Sequence, residues 1–193
     1  MTTSTTGTTS TTGPTSSNSP TSSNSTAERD DIVALLTRHR GFLLHTTQGL
    51  TDDQARLTPT VSALGLGGLV KHVAATEAAW LDFVEHGAPD QGGSDAGSAT
   101  EAAYATYADG FRLLPGETLA GVLADYAAVA DRAADLARTV DLDAAQPLPE
   151  APWFARESWT NRRVLLHIVA ETAQHAGHAD IIRETIDGQR TMG

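Results

Sequence analysis

Near its C-terminal end the chain reads "HIVAETAQHAGHAD" over residues 167–180, which places His167, Glu171, His175 and His178 in one segment. At about 100° per residue these four fall within about 80° of one another on a single helical face. Side chains one turn apart can share one ion. Imidazole nitrogens with a carboxylate oxygen suit zinc, iron, nickel or manganese. Elsewhere in the chain, His72 shares a helical face with Leu69, Thr76, Ala79, Trp80 and Phe83, and its aromatic companions turn it toward a core. A plainer account fits the same residues: a solvated helix face, plus a core histidine satisfied by a carbonyl. Spacing alone leaves both accounts open. Asp180 and Arg183 read either as an intrahelical pair or as groups that orient a ligand histidine or hold a polar substrate. His39, His45 and His86 lack any such pattern and read as surface residues.

Other chemistries are excluded by type and spacing. The chain has no cysteine, hence no disulfide framework, no Cys-type zinc site and no thiol nucleophile of its own. It has no His-Glu-x-x-His, and its Glu171–His175 spacing is one residue longer than the Glu-x-x-His of di-iron bundles. With a formal net charge of −11, a pI near 4.9 and Lys71 as the single lysine, it is ill suited to nucleic acid or an anionic membrane. No apolar run is long enough to cross a bilayer and no signal-peptide pattern opens the chain, so a cytoplasmic protein is expected.

The elements that must position these residues are helical. The chain has 193 residues, enough for one domain. Its apolar content is 40% but only 5% is aromatic, so the core must be built from Leu, Val, Ile and Ala. Residues 1–25, almost wholly Thr, Ser, Gly, Asn and Pro, cannot bury enough apolar area to offset their ordering entropy, and a disordered tail is expected there. Residues 26–193 form the second unit, a helical bundle domain. Ser25 and Glu28 stand at capping-box spacing before a first long helix, and Thr51 and Gln54 do so before a short one. Ser62 is the expected cap of the helix carrying His72, with Gly87 as its stop. A weak helical patch over "TEAAYATYADGFRLL" connects to a long Ala-rich helix after Pro115-Gly116. The last helix is expected from about Trp159 to Ile186, ending before Gly188. No strand is evident, and four long helices separated by loops predict an all-α four-helix bundle.

Two stretches, "GLGGLVKHVAATEAAWL" and "VLLHIVAETAQHAGHADIIRETIDG", resemble the DinB-like superfamily over roughly residues 28–188. Within it, the chain is most similar to the branch of mycothiol-dependent maleylpyruvate isomerases and mycothiol S-transferases. The resemblance implies an up-down-down-up bundle with a divalent metal at one end, zinc first, with nickel, iron or manganese as alternatives. It implies His72, Glu171 and His175 as metal ligands, with His167, His178, Asp180 and Arg183 as nearby substrate-binding positions. Gln174 stands where many relatives carry a basic residue. The isomerases carry a further C-terminal domain with no counterpart before Gly193, so a transferase is expected rather than an isomerase. The implied activity is conjugation of a thiolate, from mycothiol as cosubstrate, to a small electrophile. Arg162, Arg163 or Arg183 would receive the thiol's carboxylate. The rival expectations are a metal-dependent hydrolase and a non-catalytic helical bundle that binds a small ligand or forms a homodimer.

Overall fold

The computed structural model describes residues 1–2, 21–88, 101–149 and 156–191. Its helices are α1 (Thr21–His45), α2 (Asp52–Arg56), α3 (Leu66–His86), α4 (Glu101–Asp109), α5 (Leu119–Thr139) and α6 (Asn161–Asp187). A short antiparallel hairpin pairs β1 (Ala145–Pro147) with β2 (Ser158–Thr160). The four long helices form the bundle, with α1 and α3 each packed against both α5 and α6.

Polar contacts between helices fix their directions. Arg162 at the start of α6 binds Glu28 early in α1, and Arg183 near its end donates to the Thr46 carbonyl just past α1, so these two run parallel. Lys71 pairs with Glu117 just before α5, and Arg132 with Asp82, so α3 and α5 also run parallel. Arg29 reaches across to the Ala137 and Val140 carbonyls at the far end of α5, 2.8 Å from each, which sets α1 against α5. The order is therefore up-down-down-up. A parallel α3/α5 pair requires a long crossover, and α4 lies within it. Among the described residues no helix is long and apolar enough to cross a membrane.

Local chemistry explains most boundaries. Thr51 and Gln54 make the expected reciprocal capping box of α2. The hydroxyls of Thr118 and Thr160 cap α5 and α6, and Gly188 ends α6 with φ at 80°, a left-handed position suited to glycine. Three expectations are corrected. First, α1 begins at Thr21, ahead of Ser25, so Ser25 is not its cap and the helix enters the segment expected to be a tail; residues 3–20 of that segment lie outside the described residues. Once nucleated, a helix extends at low cost even through modest formers. Second, α3 starts at Leu66 rather than after Ser62, because the Ser62 hydroxyl accepts instead from the Leu64 N–H at 3.1 Å and closes a turn. Third, Trp159 lies in β2, where its β-propensity serves a hairpin too short for periodicity to reveal.

The core is aliphatic, with Leu36, Leu43, Leu66, Leu69, Leu81, Val164, Leu165 and Ile168 essentially inaccessible. Among its buried polar side chains Arg40, Glu77, Tyr126 and Thr172 come one from each long helix. Arg40 donates to both oxygens of Glu77, from Nε at 3.2 Å and from Nη2. The Tyr126 hydroxyl is buried close to Glu77 and Thr172 but makes no hydrogen bond of ordinary geometry. Burial first, then the Glu77 charge, pushes the Tyr126 phenol above its ordinary value. A raised acid pKa contributes stability that is complete below the unfolded-state value, about 10 for tyrosine, and is lost as pH rises through the folded one. Tyr126→Phe should therefore fold as well as the parent at neutral pH and flatten the alkaline limb of a stability–pH curve measured in urea. An unchanged limb would rule Tyr126 out as its source.

Candidate metal centre

Because α3 and α6 run antiparallel, His72 faces His175 and, two turns along, Trp80 faces His167. The rings of His72 and His175 have centroids 5.0 Å apart and stand nearly perpendicular. Glu171 lies one turn before His175, with 3.7 Å between Oε2 and His175 Nε2. On its other side Glu171 Oε1 is 3.7 Å from His167 Nε2. His178 follows His175 with ring centroids 5.6 Å apart, but its side chain is exposed.

The electrostatics favour neutral imidazoles. His72 is held below the ordinary histidine value by burial and then by His175, against the pull of Glu171. His175 is likewise lowered, by burial first, with Glu171 opposing and His178 adding to the shift. Burial also lowers His167, again against Glu171, with Arg163 adding to it. A neutral imidazole presents the lone pair that a metal requires.

Among the described residues, no three His, Asp or Glu side chains already stand as a closed metal-holding cluster. His72 is stacked on Phe111, and the Glu171 carboxylate lies between His167 and His175, 3.7 Å from each. The donor set fits a borderline divalent cation nonetheless. It offers two imidazoles and a carboxylate between histidines, with His175 Nε2 turned toward Glu171. His72, Glu171 and His175 are the residues that could hold one ion.

Phe111 and Trp159 are the site neighbours that sequence reasoning missed. Phe111 stacks on His72 with centroids 4.0 Å apart, and Tyr107 meets its edge at 5.2 Å. The signal was the Gly67-Gly68 pair. A Cβ on Gly68 would fall 1.9 Å from the Phe111 carbonyl oxygen and 2.6 Å from Arg112 N, so only glycine lets the crossover lie against α3. Gly68→Ala should cost about 1–3 kcal/mol by overpacking, visible as a lower urea midpoint at unchanged m-value. Equal midpoints would mean that the contact is not closely packed. Trp159 stacks face to face on Trp80 at 5.3 Å, and His167 stands edge-on to both rings at 5.1 and 5.0 Å. His167 is thereby walled by two indoles on one side and Glu171 on the other.

The remaining expected positions lie farther along α6 with other partners. Asp180 accepts from the Thr191 N–H at 2.6 Å and ties down the C-terminal segment. Arg183 is 3% exposed, and its five N–H groups go to Asp187 (twice), Gln189 and the carbonyls of Thr46 and Gln48. No donor is left for a substrate carboxylate, so a structural clamp on the α1–α2 connection accounts for it. Arg183→Met should cost at least about 2 kcal/mol, since it strips charge-assisted hydrogen bonds from buried carbonyls. It should leave the Michaelis constant for a thiol unchanged, whereas a raised constant with intact stability would restore the substrate role. Arg162 is engaged by Glu28 and Asp143, and Arg163 by Glu157 and the Trp159 ring 4.2 Å away.

Residues 31–188 match the sequence profile of the mycothiol-S-transferase family. No curated protein matches the chain. The match spans both motif-bearing helices, all of α5 and α1 from residue 31 onward, and it supports a transferase acting with a thiol cosubstrate. This chain belongs to the mycothiol-S-transferase family.

Proposed function

We propose that the protein is a metal-dependent thiol S-transferase in which His72, Glu171 and His175 hold one divalent cation, zinc before nickel, iron or manganese. The observation that carries the reading is the meeting of His72 and His175 at 5.0 Å beside Glu171, with both imidazoles pushed toward their neutral form. Two histidines and a carboxylate would leave a coordination position free, as catalytic rather than structural sites do. A cation held there would supply the positive charge that favours the thiolate form of a cosubstrate thiol at neutral pH.

The chain's own residues do the rest. His167, braced by Trp80 and Trp159, lies 3.7 Å from the outer oxygen of Glu171 and would steady the carboxylate from the side away from His175. Phe111 and Tyr107 wall the site from the crossover side and give a small electrophile an aromatic surface. Because the chain has no cysteine, the nucleophilic sulfur must come from a cosubstrate, mycothiol by family. Arg163, exposed beside Trp159, is the arginine best placed to meet its carboxylate, and His178 lies nearby for a polar group. We place the protein in the cytoplasm, acting on small molecules without nucleic acid or membrane. The test is turnover of a bimane electrophile by zinc-loaded protein with mycothiol, with other thiols and with none. Conjugation that needs mycothiol supports the reading; thiol-independent turnover points to a hydrolase, and no turnover to a binding bundle.

A further inference from the structure

Between α3 and α6 a small cavity is lined by Glu77, Trp80, Ile168, Glu171, Thr172 and His175, among others. The space in it open to the centre of a water molecule is ≈ 10 Å³, close to the roughly 10–15 Å³ that one water needs. Two polar atoms belonging to residues of its wall, Thr172 Oγ1 (beside the Tyr126 hydroxyl) and His175 Nδ1, are buried without a hydrogen bond of ordinary geometry. Thr172 is only 1% exposed. Glu77, also on the wall and 2% exposed, accepts two hydrogen bonds from Arg40. A carboxylate has about four acceptor positions, so capacity remains. Purely apolar cavities stay dry; this one has a largely apolar wall but carries these orphaned buried polar groups, which call for a water.

We propose that this cavity binds one ordered water, which accepts from His175 Nδ1–H and donates to Thr172 Oγ1 and the Glu77 carboxylate, making Thr172 a positioning residue for the imidazole of the metal centre. His175 Nε2 is the nitrogen that faces Glu171. For Nε2 to offer its lone pair, the ring proton must sit on Nδ1, and the water gives that proton an acceptor. The buried Arg40–Glu77 pair then anchors the chain of contacts at the middle of the bundle.

The role assigned to Thr172 rests on the proposed metal reading, whereas the water itself does not, and the test separates them. A high-resolution crystal structure of the metal-free protein should show a water within hydrogen-bond distance of Thr172 Oγ1, His175 Nδ1 and a Glu77 oxygen. Nitrogen-15 NMR of the metal-free protein should show His175 protonated on Nδ1. Thr172→Val, which keeps the shape and loses the hydroxyl, should shift that tautomer and weaken zinc binding about 10-fold or more against a chromophoric chelator. Thr172→Ser should restore both. Failure of the parent protein to bind zinc would sink the metal reading, while the water and the tautomer would still decide this inference. A dry cavity, or a Thr172→Val variant with parental tautomer and zinc affinity, would overturn it.

Discussion

His72→Ala is expected to weaken zinc binding by more than about 100-fold and to abolish thiol transfer while the bundle stays folded. An outer partner of a metal ligand is worth about 10–100-fold in affinity or activity, and a ligand should exceed that. His72 is the informative position because it is the one proposed ligand on α3. Without it, Glu171 and His175 are two donors on a single helix, a weak and unselective pair. The ring is only part-buried and stacked on Phe111, so its removal leaves a small defect near the surface rather than a void in the core. Circular dichroism and urea unfolding should therefore change little. Zinc affinity equal to the parent's in a folded His72→Ala protein would dismiss His72 as a ligand and detach α3 from the site.

Glu77→Ala and Arg40→Ala should each destabilise the fold by about 3–5 kcal/mol, the largest stability losses expected from single substitutions here. Each leaves one charge buried without its partner, in side chains only 6% and 1% exposed for Arg40 and Glu77. The double replacement Arg40→Met with Glu77→Leu should recover most of that loss, because paired apolar groups of similar volume avoid the desolvation penalty altogether. Urea unfolding of the two single variants and the double one measures this directly. Single variants within about 1 kcal/mol of the parent would mean that water already reaches the pair, as surface ion pairs of that size do.

Much of the bundle was legible from periodicity and punctuation. Leu and Ala at helical spacing announced the long helices, Thr51 with Gln54 the short one, and Gly188 the last stop. The parallel pairing of α3 with α5 was not legible from spacing, because it is fixed by contacts distant in sequence, such as Lys71 with Glu117 and Arg132 with Asp82. The hairpin around Trp159 escaped notice because three-residue strands carry no measurable alternation. Of the site, the α6 stripe could be read directly, since four polar residues on one face contradict a core helix. That His72 would be the residue opposite His175 came from resemblance, not from spacing. Phe111 was hidden by its place in a crossover, although Gly68 hinted that some backbone must pass close to α3. Thr172 and Glu77 read as ordinary helix residues, and only burial without partners singles out Thr172. Arg183 is the converse case. A conspicuous arginine beside a polar motif invites a substrate role, whereas two of its five donors close backbone carbonyls and three bind the Asp187 and Gln189 side chains.

The central claim is that three side chains from two helices hold one cation. Its most direct measurement is a zinc titration of the untagged, metal-stripped protein by isothermal calorimetry, run beside His72→Ala, Glu171→Gln and His175→Ala. One zinc per chain in the parent, with a sharp loss of affinity in all three variants, is the predicted result. No saturable zinc binding by the parent, or binding that survives all three substitutions, would contradict it.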